Sequence, residues 1–305
     1  MLTYIIRRAS HSLIALVGLL MLVFFLSRLT GDPASVLLPV DATAAQRIEF
    51  AARHGLDDSL IVQFGSYLKD LVQFDFGMSL RQQRGAMEPA LEAFPHTLQL
   101  AFVTMLLALP LAVCLGALAA NRPGSLFDRI TTILTLAGAS APTFWIAVLA
   151  VLFFSLSLGW LPTSGTGTIA HWVLPVGVLM LRPVGLLAQV VRTTMVGAIN
   201  SPYVKTAWAK GVPRSQILFV HVLRNSLLPL VSVAGDLTVS MVNGAVIVET
   251  IFGWPGIGAL LLNAIIERDF AVVQACILLT ACSIFILNIV IDLIYAFLDP
   301  RIRYS

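Results

Sequence analysis

Residues 201–229 read SPYVKTAWAKGVPRSQILFVHVLRNSLLP, a polar island between long apolar runs. Ser201 followed by Pro202 predicts an N-cap and a first helical residue. Gly211 predicts the stop, because glycine enters the left-handed conformation of a helix C-terminus without a Cβ clash. Pro213 suits the first turn of a second helix, whose residues 217–223 are largely apolar. The stretch therefore predicts a short helix, a tight turn and another helix. A helix this short is marginal in water because nucleation is costly, so it needs a surface to hold it. Lys205, Lys210 and Arg214 supply its charge, and an ordinary basic loop kept on the inner side of a membrane is the plainest reading of that composition.

Outward from this island the chain is apolar. Hydrophobic residues make up 58% of the sequence and charged residues 11%, with a mean hydropathy of +0.91. These values exclude a soluble globular fold. Six runs, residues 9–29, 96–120, 130–158, 172–199, 230–251 and 271–298, are each long enough to cross a hydrocarbon core of about 30 Å. The expected fold is an all-α polytopic membrane protein of six transmembrane helices. Residues 1–29 form the first helix, retained because no small-x-small cleavage site follows the run. Residues 30–95 form a helical insert, and residues 96–305 form a five-helix core. No internal repeat of fixed period is visible.

Charge sets the orientation. Segments 1–8, 121–129, 200–225 and 299–305 hold ten Lys/Arg against two acids, whereas segments 30–95, 159–171 and 252–270 hold six bases against eleven acids. The Lys/Arg bias places both termini and the 201–229 stretch in the cytoplasm. The insert is then extracytoplasmic, and it is long enough to be a small folded lid. In it, Thr43-x-x-Gln46 predicts a capping box opening a helix that ends at Gly55, and a second helix runs from Ser59 to about Phe74. Met87, Leu91 and Phe94 recur at helical spacing and predict a short helix along the bilayer surface. His54 has no ligand types at a useful spacing and reads as solvated. Near the other end, ETIFGWPGIG, residues 249–258, cannot continue a helix through its glycines and Pro255, so a turn and a short helix over Ala259–Ile266 are expected.

The sequence offers no catalytic chemistry. It lacks a G-x-x-x-x-G-K-[ST] phosphate loop, a nucleophile with its base, paired carboxylates at the mouth of a span and any metal-ligand spacing. Cys114, Cys276 and Cys282 lie inside apolar runs as small hydrophobes. A formal charge of +3, dispersed along the chain, gives no support to nucleic-acid binding. Four ionisable residues, Arg182, Asp236, Glu249 and Asp292, fall within apolar runs, where charges face a bundle interior or a wet cavity. Arg182 and Asp236 are candidates for a translocation pathway, and a purely structural pair between them is equally open. Glu249 joins them as a pathway candidate, as does Asn243, although Glu249 is near enough to the outer boundary to be interfacial, and Asp292 suits a packing or helix-end role. Asn243 and Gly244 suit the close passage of a peptide backbone, although close helix packing explains small residues more often.

Lys205-Thr206-Ala207, three residues and Gly211 resemble the EAA-x-x-x-G signature of permease subunits of bacterial ATP-binding-cassette importers. YVKTAWAKG, HVLRNSLLP, HGLDDSLIVQFGSYL, FDFGMSL, ETIFGWPGIG and the ending LDPRIR are similar to the dipeptide, oligopeptide and nickel branch, so the resemblance covers essentially the whole chain. Two departures stand out: Lys205-Thr206 replaces the initial Glu-Ala, and Leu223-Arg224 stands where many importers have Leu-Pro. The peptide branch shares both departures, and no contact that uses the Glu is carried over.

The resemblance implies a type I importer transmembrane domain in the bacterial inner membrane. It would form half of the pathway for di- or oligopeptides, or for nickel chelates, glutathione, opines or sugars. Its implied partners are a second homologous permease, two cytoplasmic ATPase subunits that bind the ATP and Mg, and an extracytoplasmic solute-binding protein. Lys205, Thr206, Ala207, Lys210, Gly211, Val212, Pro213 and Arg214 would form the ATPase-coupling loop, and this chain itself would hold no cofactor. An ion-coupled secondary transporter should show inverted repeats and paired acids in broken helices. A membrane scaffold would need the basic loop without the intramembrane charges.

Overall fold

A computed structural model of the chain describes residues 10, 14–22, 24–25, 43–53, 57–73, 75–79 and 81–298. Residues 9, 11–13, 23 and 26–29 of the first apolar run, His54, Gly55 and the tail after Leu298 lie outside these residues. Among the described residues the regular elements are helical, and they group into two units. One contains described residues of Met1–Pro95 with Ile257–Phe285, and the other His96–Gly256 with described residues of Ile286–Ser305.

In the first unit, α1 (Ala44–Arg53) and α2 (Leu60–Val72) belong to the insert. The capping box forms as expected: Gln46 Oε1 accepts from Thr43 N at 2.8 Å, and Thr43 Oγ1 accepts from Gln46 N at 3.4 Å. α2 turns Phe64 and Tyr67 toward Phe24, with ring centroids 5.4 Å from it, and burial pushes the Tyr67 phenol up to about 12. Leu20, Phe76, Ala90, Ile257, Val272 and Cys276 fill this unit's core. A turn bridged between Met78 and Gly85 places Ser79 Oγ 2.6 Å from Asp269 Oδ2, to which it donates. Asp269 also accepts from Val272 N at 3.3 Å, so one carboxylate both caps the last helix and fastens the turn.

Helix α3 (Met87–Asn121) corrects the expected surface helix at Met87–Phe94, because those residues are its opening turns. The chain passes through Pro95 and Pro110 without leaving the helix. Transmembrane helices tolerate proline where neighbouring groups satisfy the freed carbonyls. Met87 and Phe94 pack on the first unit's core, whereas Leu91 is exposed.

In the second unit, α4 (Leu126–Ser140) and α5 (Thr143–Ala150) divide the expected span over 130–158. They meet at 102°, and α5 continues as a π-helical segment over Val151–Ser157. The bend has a local cause: Pro142 disfavours helical backbone in the residue before it, and Ala141 has φ −72° and ψ 138°. α6 (Ala170–Ile199) contains Pro175 and Pro183 and passes close to two other helices. A Cβ at Gly185 would overlap the Thr135 carbonyl of α4, and one at Gly116 of α3 would overlap the Ala188 carbonyl of α6. Close packing thus uses Gly116 and Gly185. Gly244, a sequence candidate for that role, faces open space.

The chain continues through α7 (Pro202–Ala209), the single turn α8 (Arg214–Gln216), a π-helical segment (Ile217–Val222) and α9 (Leu223–Gly244). The stretches Arg214–Leu227 and Pro229–Val242 are bent by 51° at Pro229. α10 (Val246–Ile251) closes the unit's run of helices before the turn at 252–256. α11 (Ile257–Ile266) starts two residues before the expected Ala259, and α12 (Phe270–Leu298) ends the described chain. Among the described residues, α3, α6 and Phe270–Ile294 of α12 are long and apolar enough to span a membrane, and the two bent pairs raise the number to five. Exposed side chains such as Phe102, Ile133 and Ile286 suit contact with lipid.

Candidate functional site

The 201–229 stretch folds as a short helix clasped to the second unit. Pro202 opens α7 at N1, and Ser201 takes the cap position with extended backbone. Its hydroxyl does not cap the helix, however; it donates back to the Ala198 carbonyl at 2.6 Å. At the other end Gly211 has φ 74°, the left-handed conformation expected of a C′ glycine. Gly211 N donates to Trp208 O at 3.0 Å and Val212 N to Ala207 O at 3.2 Å. These two bonds form a Schellman closure, which satisfies carbonyls that the helix end would otherwise orphan. Pro213 sits one position earlier than expected, as the cap of α8, with Arg214 its first helical residue.

The surface that holds α7 is the protein's own core. Val204 is 0% exposed, among Ala117, Ala120, Val191, Met195, Ile217 and Val222, with Ala207 and Val212 against the same cluster. Lys205, Thr206, Ala209, Lys210 and Gly211 are exposed, with Tyr203 and Trp208 exposed at the flanks. The Arg214 guanidinium donates to the Asn121 carbonyl at the end of α3, which ties the second half of the loop to that helix.

Beside the loop is an ion pair that sequence reading missed. Arg192 on α6 donates from Nε and Nη2 to Asp128 on α4, with Nη2 to Oδ2 at 2.8 Å. Asp128 is 2% exposed, and its Oδ2 also accepts from Gly124 N at 2.8 Å. Ser125 Oγ accepts from Asp128 N at 3.2 Å and caps α4, while the Asp128 carboxylate reaches back past it to Gly124 N. The S-x-x-D pattern at 125–128 was the available signal for the cap, but nothing local announces Arg192 as the partner.

The pathway candidates differ in character. Arg182 on α6 and Asp236 on α9 are both exposed, and no ion pair joins them. The side chain of Asn243 is not among those described. Glu249 is buried inside the protein, at 0% exposed. The Thr97 hydroxyl donates to its Oε1 at 2.5 Å, and a Cβ at Gly256 would overlap its carboxyl group. The surrounding turn is fastened by Trp254, whose Nε1 donates to His96 O at 3.0 Å and whose ring meets Trp172 edge-on at 4.5 Å. Among the described residues no cluster of three or more His, Cys, Asp or Glu could hold a metal.

Comparison with known proteins joins this geometry to a family. Residues 112–304 match the family described as "Binding-protein-dependent transport system inner membrane component". The oligopeptide transport system permease protein AppB of Bacillus subtilis (strain 168) is 35% identical over 316 residues, covering 100% of both chains. The di/tripeptide transport system permease protein DppB of Pseudomonas aeruginosa (strain UCBPP-PA14) is 37% identical over 335 residues, again covering 100% of both. The glutathione transport system permease protein GsiC of Escherichia coli O1:K1 / APEC is 35% identical over 307 residues with the same coverage. In fold, the MetNI methionine ABC transporter in its inward-facing conformations matches with a TM-score of 0.58 at 18% identity, over 68% of this chain and 95% of that one. The chain therefore belongs to the inner-membrane components of binding-protein-dependent transport systems, the non-catalytic membrane subunits of ABC importers that work with an ATPase and a solute-binding protein.

Proposed function

We propose that this permease carries di- or oligopeptides, pairs with a second homologous permease and two ATPase subunits, and couples to them through Lys205–Arg214, with both termini in the cytoplasm. ATP and Mg are held by the ATPases. The observation that carries the coupling reading is the one-sided anchoring of α7: Val204 is fully buried while the opposite face is bare. A helix held on one side and free on the other can transmit the motion of whatever docks on it. ATP binding draws the ATPases together, the docked loops carry that motion into the helices, and the cavity opens outward to the binding protein and inward after hydrolysis.

Peptide cargo is supported by full-length likeness to oligopeptide and di/tripeptide permeases. Arg182 and Asp236 belong to the proposed pathway, because an exposed charge at membrane depth is stable only against a wet cavity or another subunit. Glu249, walled in by Thr97 and Gly256, supports the outer turn in this conformation.

The test is ATP hydrolysis in proteoliposomes that contain this chain with its neighbouring permease, ATPases and binding protein, challenged with a dipeptide panel. Stimulation that requires both binding protein and peptide supports the proposal. A stable complex whose ATPase ignores every peptide would redirect the cargo to glutathione, nickel chelates or sugar-like solutes. Uptake that persists without the ATPases would overturn the coupling reading in favour of an ion-driven carrier.

A further inference from the structure

The exposed end of the second unit around α7 carries charge of one sign. No Asp or Glu occurs between Asp128 and Asp236. Arg122, Arg129, Lys205, Lys210, Arg214 and Arg224 are all exposed there. Asp128 offers no offset, since it is buried with its oxygens occupied by Arg192 and Gly124 N. Among the described residues, no acid is paired with this basic face.

On α7 the arrangement is more specific. At about 100° per residue, Pro202, Lys205, Thr206 and Ala209 fall in one arc of roughly 100° opposite Val204 and Ala207. That arc is flat and small apart from a single charge, Lys205. Tyr203 and Trp208 flank it, and Lys210 closes its end. Arg214 is partly committed to the Asn121 carbonyl, which leaves Lys205 and Lys210 as the free cations of the outward face. A helix that lies on lipid turns its large apolar residues outward. Here the residues opposite the core are Pro, Thr and Ala, and the aliphatic Val204 is spent on the protein's own interior. The face suits a protein groove better than a bilayer.

Resting on the coupling reading above, we infer that the ATPase surface receiving α7 is acidic, with carboxylates opposite Lys205 and Lys210 and apolar ground for Tyr203 and Trp208. The position that resembles the Glu of the signature carries the opposite charge here, so an ATPase whose groove presents a cation at that point is repelled and one that presents a carboxylate is selected. Complementary charge of this kind governs partner choice and encounter rate more than the final affinity, and salt screens it.

The experiment measures ATPase binding to the permease pair in nanodiscs at low and high ionic strength. Wild type is compared with Lys205→Met/Lys210→Met and Lys205→Glu/Lys210→Glu. Neutralisation is expected to weaken binding on the order of tenfold at low ionic strength and to flatten its salt dependence. Reversal should abolish binding, and a carboxylate-to-lysine change in the ATPase groove should restore it. Wild-type affinity and salt slope in the neutral variant would overturn the inference. So would neutral variants that keep the ATPase but lose binding to anionic phosphatidylglycerol vesicles, since the lysines would then serve lipid. If the unaltered permease pair binds no ATPase, the coupling reading itself fails, an outcome distinct from the other two.

Discussion

Glu249 and Gly256 compete for the same space, because a methyl group on the glycine would overlap the carboxyl group that Thr97 holds. Gly256→Ala should therefore lower the melting temperature of the purified assembly sharply, and Glu249→Ala should relieve much of that loss, a coupling that a double-mutant cycle reads directly. Asp128→Asn leaves the Arg192 guanidinium beside a neutral amide and weakens the bond from Gly124 N. We expect a loss of about 1–3 kcal/mol in thermal or denaturant unfolding, with most of the helical signal retained. Tyr67 behaves differently, since among the described residues its buried hydroxyl finds no partner. Its phenol rises from 10.0 to about 12 on folding. The folded state thus keeps a proton that the unfolded chain gives up, so this contribution is complete below pH 10 and fades as the pH climbs toward 12. Tyr67→Phe should remove that alkaline dependence from a stability-against-pH curve without destabilising the protein at neutral pH. None of these three arrangements was legible in the sequence. Asp128 meets a residue 64 positions away, Thr97 meets one 152 away, and short-range spacing carries no trace of either.

At the scale of elements, local chemistry was read well wherever it was sufficient. The Thr43 cap, the Pro202 start, the Gly211 stop and the break at Gly253–Gly256 each follow from one or two residues whose backbone preferences leave little choice. Proline separates the successes from the failures. Pro142 bends by 102° a run expected to be one span, yet Pro95 sits inside α3 where a boundary was expected. The ring removes one donor in both cases, and the neighbours decide whether the freed carbonyl is satisfied or the chain turns. Gly211 is a firmer case because its φ of 74° excludes a β-branched residue without strain. Gly211→Val should cost about 1–2 kcal/mol locally and open the Schellman bonds. ATPase-coupled uptake should be lost while the permease pair still assembles, as uptake assays and size-exclusion chromatography would show. Gly211→Asn, which tolerates the same conformation, should retain much of the transport.

For the whole molecule, composition and the spacing of apolar runs were enough to exclude a soluble fold, because a membrane imposes length and polarity on every crossing segment. The pathway was not legible, because in the proposed assembly two subunits would shape it and one chain would supply only half of its walls. Removing the ATPases from the reconstituted assembly should abolish uptake against a gradient while leaving the permeases in the membrane. The links around α7 bear on how such an assembly would move. Only Asn200 and Ser201 separate α6 from α7, and only Lys210–Pro213 separate α7 from α8. Two of the bonds across the second link are internal to the turn, and a two-residue link has at most about 7 Å of reach. The joint therefore has almost no backlash: a partner that tilts α7 moves the Val204 seat, and with it the helices that surround the seat, before any slack in the chain is taken up.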